Sequence, residues 1–140
     1  MKVSEVMTAQ VVTATPQTPV SEVAKTMARI ESGAIPVVAD GKVVGLVTDR
    51  DIVIRVVAEG GAVSQPVGDV MSLTVETCQE EDNVADAAAA MAARQVRRLV
   101  VLNEAGQMAG ILSLGDIAVD YGAKAVGRTL EEISAAPPTH

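Results

Sequence analysis

The chain has no Phe and no Trp, and Tyr121 is its only aromatic residue. Its core must therefore be built from branched aliphatics, which suit sheets covered by helices. A single cysteine, Cys78, rules out an internal disulfide and gives no sign of an oxidising compartment. The one histidine, His140, is the last residue, so zinc sites built from several Cys and His are excluded by ligand count. No uncharged apolar run approaches the roughly 18 residues needed to span a membrane. The opening residues Met1–Met7 lack the apolar stretch of a signal peptide, so a cytoplasmic setting is expected. Positive charge is scarce, with 11 Lys and Arg against 18 Asp and Glu, giving −7 at pH 7. That balance argues against nucleic acid and anionic membrane as partners, because both need a positive surface. A Gly-rich phosphate loop, a nucleophile elbow and a Cys-x-x-Cys pair are all missing. The catalytic inventory is thin, and an enzyme is not expected.

What the chain does have is an internal repeat. Hydrophobic residues make up 49% of it, almost all Val, Ala, Leu, Ile and Met. Val6-Met7-Thr8 recurs as Val70-Met71-Ser72, and Ile35-Pro36-Val37-Val38 as Leu99-Val100-Val101-Leu102. Val20 matches Val84 and Met27 matches Met91 at the same spacing. One extra residue enters the second copy at the turn Asn103-Glu104-Ala105-Gly106. Beyond it, Gly45-Leu46-Val47-Thr48-Asp49-Arg50-Asp51-Ile52 matches Gly110-Ile111-Leu112-Ser113-Leu114-Gly115-Asp116-Ile117. An insertion confined to a turn is what a duplicated structure tolerates. The copies read as 3–60 and 67–124, with a linker at 61–66 and a C-terminal extension over 125–140 that is expected to be partly disordered.

Each copy reads as strand, helix, strand, strand, helix, an α/β (α+β) arrangement with pseudo-two-fold symmetry. In the first, Val11-Val12-Thr13 is a short strand ended by Pro16. Thr18 is the expected N-cap with Pro19 at the first helical position. Val20, Val23, Ala24, Met27 and Ile30 share a helical stripe that Gly33 stops. Ile35 to Ala39 and Lys42 to Val47 are strands joined by Asp40-Gly41, a favoured hairpin dipeptide. Thr48 opens a second helix carrying Ile52, Val53, Val56 and Val57, closed by Gly60-Gly61. The second copy gives Thr74 to Thr77, Val84 to Arg94, Arg98 to Asn103, Gln107 to Leu112, and a helix from Ser113 onward. A copy of about 60 residues is marginal alone. Packing the two sheets together is expected to give one body with two equivalent clefts.

These residues resemble the CBS (cystathionine-beta-synthase-like) domain, twice over, across about residues 3 to 124. The resemblance rests on the element order, the Val-Met-Thr opening, the Ile35-Pro36-Val37 strand and the Gly45-to-Asp51 segment. Thr48-Asp49-Arg50-Asp51-Ile52-Val53-Ile54-Arg55 and Val96-Arg97-Arg98 are similar to short stand-alone actinobacterial pairs of the hypoxic-response type. The resemblance implies a non-catalytic regulatory module whose clefts bind an adenosine-containing ligand: AMP, ADP, ATP or S-adenosylmethionine. It places Asp51 and Asp116 on ribose, and Thr48 and Ser113 on ribose or phosphate. Ile35, Pro36 and Val37, with Leu99, Val100 and Val101, would line the adenine slot, and the backbone at Thr13 and Thr77 would meet the base edge. It also implies a homodimer and an unidentified regulated protein.

The chemistry of the residues agrees. A carboxylate only accepts hydrogen bonds, and a cis-diol offers it two donors. A helix opening at Thr48 would present free N–H groups to a phosphate, and Arg50, Arg97 or Arg98 could add guanidinium donors. Aliphatic walls can sandwich a purine where no aromatic is available. Plainer readings stand beside these. Thr48-x-x-Asp51 and Ser113-x-x-Asp116 are also helix capping boxes, which need no ligand. Arg94, Arg97 and Arg98 could simply complement the end of the Val84–Arg94 helix, and Arg50, Arg55 and Lys124 could be solvated surface. Glu80-Glu81-Asp82 reads as a solvated helix entry rather than a cation site. Three rivals to nucleotide sensing follow: a structural or interaction homodimer with vestigial clefts, an enzyme acting on the bound nucleotide, and nucleic-acid binding through the arginine cluster. The two clefts differ, since Val100, Ser113 and Gly115 replace Pro36, Thr48 and Arg50.

Overall fold

The computed structural model describes residues 1–120, with Asp120 by its backbone alone. The end of the second copy and the extension, with Tyr121, Lys124 and His140, lie outside the described residues. Two compact units are present, and neither coincides with one sequence copy. Residues 12–75 form one unit, while residues 1–11 join the segment from Glu76 onward to form the other. Each copy's opening segment therefore packs with the body of the other copy.

In the 12–75 unit, helix α1 spans Val20–Ile30, strands β1 and β2 span Ala34–Ala39 and Lys42–Thr48, and helix α2 spans Asp49–Ile52. The two strands are antiparallel, with Ile35 opposite Val47 and Pro36 opposite Leu46. Asp40 and Gly41 have φ of 53° and 76°. Two successive left-handed residues are what a two-residue hairpin turn requires. α1 is capped differently from the expectation. Pro19 is the N-cap, and the Thr18 hydroxyl instead accepts from the Thr15 N–H at 3.0 Å. The first free helical amides are met by the linker: Val20 N–H donates to Gln65 O at 2.9 Å, and Ser21 N–H to Val63 O at 2.8 Å. The helix ends at Glu31, which takes the left-handed conformation, two residues before Gly33. Val20, Val23 and Met27 are buried on its stripe, whereas Ala24 and Ile30 are exposed.

The Val11-Val12-Thr13 strand does not form. Ala14 alone bridges β1 at Val37, giving Ala14 N–H to Pro36 O at 3.0 Å and Val38 N–H to Ala14 O at 2.8 Å. The reason is Pro36. In the other unit its counterpart Val100 donates its N–H to Glu76 O at 3.0 Å, which extends the ladder towards the chain start. Pro36 has no N–H to offer the matching carbonyl of Val12.

After α2 the chain widens into a π-helical turn over Val53–Val57, with Ala58 N–H donating to Val53 O at 2.9 Å. Ile52 and Val56 reach the core, but Val53 and Val57 of the expected stripe face solvent. The later part of this unit, Val67–Val75, begins with a 3-10 turn at Val67–Asp69 and then lies along β2. There Leu46 and Ser72 exchange N–H···O bonds at 3.0 and 2.8 Å.

The other unit repeats the plan. Strand β3 spans Thr77–Gln79, helix α3 Val84–Arg94, β4 Arg98–Leu102, β5 Met108–Ser113 and helix α4 Leu114–Asp120. β3 pairs parallel with β4, and β4 antiparallel with β5. The first strand was expected at Thr74 to Thr77 and sits two to three residues later. The opening 3-10 turn Val3–Glu5 belongs here, and Thr8 exchanges bonds with Ile111 at 2.9 and 3.0 Å. Each unit has its own aliphatic core. One gathers Val20, Met27, Ile35, Val37 and Val47; the other gathers Val84, Met91, Leu99, Val101 and Leu112. Each such side chain contributes about 1.5–3 kcal/mol through removal from water. No helix among the described residues is long and apolar enough to cross a membrane.

Candidate functional site

In the 12–75 unit β2 ends at Thr48 and α2 starts at once, so a hydroxyl and a carboxylate meet at the corner. Thr48 N–H donates to Asp51 Oδ2 at 2.9 Å, and Asp51 N–H donates to Thr48 Oγ1 at 3.1 Å. The capping box is thus formed in full. It consumes one carboxylate oxygen. The other, Oδ1, lies 3.9 Å from Arg55 Nε, and the Asp51 side chain is 17% exposed. Arg55 in turn donates from Nη1 to Val70 O at 3.3 Å and to Met71 O at 3.4 Å. This fastens the π-helical turn to the segment that runs beside β2.

The second corner repeats the geometry. Ser113 N–H donates to Asp116 Oδ2 at 3.0 Å, and Asp116 N–H donates to Ser113 Oγ at 3.1 Å. Capping and ligand binding are compatible at both corners, because an ionised carboxylate offers about four acceptor positions.

The free N–H groups expected for a phosphate at the α2 start are already taken. Asp49 N–H donates to Gly33 O at 2.9 Å, Arg50 N–H to Asp49 Oδ1 at 2.8 Å, and Asp51 N–H to Thr48. At α4, Leu114 N–H donates to Arg97 O at 3.1 Å, while the Gly115 N–H finds no partner among the described residues. Any donors left beside Asp51 are therefore side chains, and Arg50 stands exposed two residues after Thr48.

The strand residues divide by face. Ile35 and Val37 belong to one core, as Leu99 and Val101 do to the other. Alternation leaves Pro36 and Val100 on the opposite face, both buried and outside those cores. Arg98 lies opposite Ser113 in the β4–β5 register and is exposed, as is Arg97.

Thr13 is exposed, and because Ala14 spends its own backbone groups on β1, those of Thr13 turn away from the sheet. Thr77 is placed alike, but its carbonyl accepts from Arg94 Nη1 at 3.1 Å. Arg94 also pairs with Glu76 at 3.3 Å. Arg94 is thus engaged with β3, beyond complementing the end of its helix. Neither contact was legible in the sequence, where Arg94 lies 18 residues from Glu76. The Asp51–Arg55 pair did carry a signal, the i,i+4 spacing of opposite charges.

Cys78 is buried, and burial, helped by the Asp82 carboxylate, pushes its thiol up to about 11, with Arg94 pulling slightly the other way. Such a thiol is a packing group, not a nucleophile. Among the described residues no cluster of three His, Cys, Asp or Glu side chains could hold a metal ion.

The family model of the CBS domain matches residues 3–58 and again 67–120. The CBS domain-containing protein YhcV of Bacillus subtilis is 38% identical over 133 residues, covering 94% of each chain. The CBS domain protein PAE2072 of Pyrobaculum aerophilum, solved in complex with AMP, is 26% identical with a TM-score of 0.78, covering 97% of this chain and 100% of that one. Hypoxic Response Protein I, solved with two coordinated zinc ions, is 26% identical with a TM-score of 0.73, covering 85% and 98%. Two matched segments, the shared α+β architecture and the paired Thr48–Asp51 and Ser113–Asp116 corners lead to one conclusion: this chain is a tandem-repeat protein and belongs to the CBS domain family.

Proposed function

We propose that this protein is a regulatory module that binds an adenosine-containing ligand, with Asp51 taking the ribose hydroxyls. The carrying observation is that Asp51 closes its helix cap with Oδ2, while Oδ1 meets Arg55 Nε at 3.9 Å, longer than a hydrogen bond, and so retains lone pairs for an incoming donor. In this reading Pro36, on the outer face of β1, would supply an apolar wall, the backbone of Thr13 a base-edge partner, and Arg50 a phosphate partner. Asp116, Ser113, Val100, Thr77 and Arg98 form the matching set in the other unit. The AMP complex of the related Pyrobaculum protein supports this ligand class and makes AMP the first ligand to test, ahead of ADP, ATP and S-adenosylmethionine. Binding would act by population shift, favouring the state of the module that a regulated protein reads.

Calorimetric titration of AMP, ATP and S-adenosylmethionine into the purified chain tests this reading. Ligand at ~100 times its Kd should raise unfolding stability by roughly 2.7 kcal/mol. If none binds more tightly than about millimolar, the sensing reading fails.

A second reading is an interaction homodimer whose ligand corners serve only as helix caps. It is favoured by Val53, Ile54 and Val57, which are 54%, 47% and 64% exposed on one short stretch. A sedimentation profile that shifts with concentration while AMP leaves the protein unchanged would select this reading.

A further inference from the structure

The two corners are alike, but the chain beside them is not. Glu76 and Arg94 pair at 3.3 Å, and Arg94 Nη1 donates to the Thr77 carbonyl at 3.1 Å. In the repeat register the same two places in the first copy are held by Val12 and Ile30. Those residues are 37% and 38% exposed. Two exposed apolar residues at these places, one of them adjacent to Thr13 in the chain, thus correspond to an ion pair that uses the backbone of Thr77.

We infer that Arg94 is a specificity-determining residue that disfavours the second adenosine site, so that the chain binds one nucleotide, at the Asp51 corner. This rests on the nucleotide reading above and sharpens it. Two differences act in the same direction. A purine edge brings an amino donor to a strand carbonyl, and at Thr77 a guanidinium donor is already there. The Thr77 carbonyl keeps a second lone pair, but a second donor must approach beside a fixed cation. The purine face gains from apolar surface, which Val12 and Ile30 offer and a charged pair does not. Displacing a charge-assisted hydrogen bond should weaken the second site by roughly tenfold or more relative to the first.

The test is AMP calorimetry on the full chain. The wild type should bind one equivalent, and Asp51→Asn should remove it. The double substitution Glu76→Val with Arg94→Ile grafts the first-copy pair into the second copy, and a second equivalent should then bind. Adding Asp51→Asn to that double variant should leave one equivalent. Should the double variant fail to fold by circular dichroism, Arg94→Met alone carries the same expectation. The inference is overturned if the wild type binds two equivalents of similar affinity, or if the folded graft still binds one. A flat isotherm in both wild type and graft overturns the nucleotide reading itself, which is a different result from either.

Discussion

Thr48 and Asp51 hold each other in both directions, backbone N–H to side-chain oxygen, at 2.9 and 3.1 Å. This reciprocity lets capping and ligand binding be separated, because the two demand different things of Asp51. The cap needs one oxygen acceptor, whereas a diol prefers a charged one. Asp51→Asn should therefore change stability by less than about 0.5 kcal/mol in urea unfolding while weakening AMP binding by roughly tenfold or more. Thr48→Ala should cost about 1 kcal/mol of stability through loss of the cap acceptor. If Asp51→Asn lowers stability as much as Thr48→Ala and leaves affinity intact, Asp51 is a capping residue only.

Gly110 is required by close approach. A Cβ there would lie 2.5 Å from the Thr8 carbonyl oxygen and 2.9 Å from Met7 Sδ. The Thr8 backbone is fixed by its two bonds to Ile111, so it cannot yield cheaply. Gly110→Ala should destabilise the protein by about 1–3 kcal/mol, measured by urea midpoint. At Gly45 the nearest atom, at 2.5 Å, is the flexible Met71 Sδ, and the cost of Gly45→Ala should be smaller. Equal costs would mean that the Thr8 pairing gives way.

The Cys78 thiol predicts an alkaline weakening. Its ordinary value is 9.0 and the fold raises it to about 11. Below pH 9 both folded and unfolded chains hold the proton. Between about pH 9 and 11 only the unfolded chain releases it, so stability falls across that window. The urea midpoint of the wild type should decline over this range more steeply than that of Cys78→Ala. Parallel curves would show that the thiol is not the cause.

The apolar stretch on the π-helical turn makes its own prediction. If it mediates self-association, Val53→Lys with Val57→Lys should yield a monomer by analytical ultracentrifugation, with folding stability within about 0.5 kcal/mol of the wild type, as is usual for exposed positions. A wild type that is already monomeric across the concentration range would remove the homodimer reading.

Much of the fold was legible because local rules carried it. The Asp40-Gly41 hairpin, the Val84–Arg94 helix and the corners at Thr48 and Ser113 each follow from a few neighbouring residues. The missing strand at 11–13 was decided by a residue outside it, Pro36, whose lack of an N–H removes a ladder bond. The α1 cap was misplaced for a similar reason, since the amides at its start are met by Gln65 and Val63 and need no Thr18 hydroxyl. The phosphate cradle expected at α2 fails because Gly33 O and Asp49 Oδ1 occupy the first two amides.

The sequence by itself determined the duplication, the element order and the two Thr/Ser–Asp corners, since periodicity and capping are short-range and survive without three-dimensional context. Only the tertiary structure decided which segments share a unit: residues 1–11 join the second copy's body, and Val67–Val75 joins the first's. It alone brought Arg94 to Thr77 and Arg55 to Val70, because contacts across many residues depend on how elements pack. The corners at Asp51 and Asp116 therefore share a capping pattern, and what distinguishes them is the residues exchanged beside them, Gly115 for Arg50 and Val100 for Pro36, together with the long-range company each one keeps.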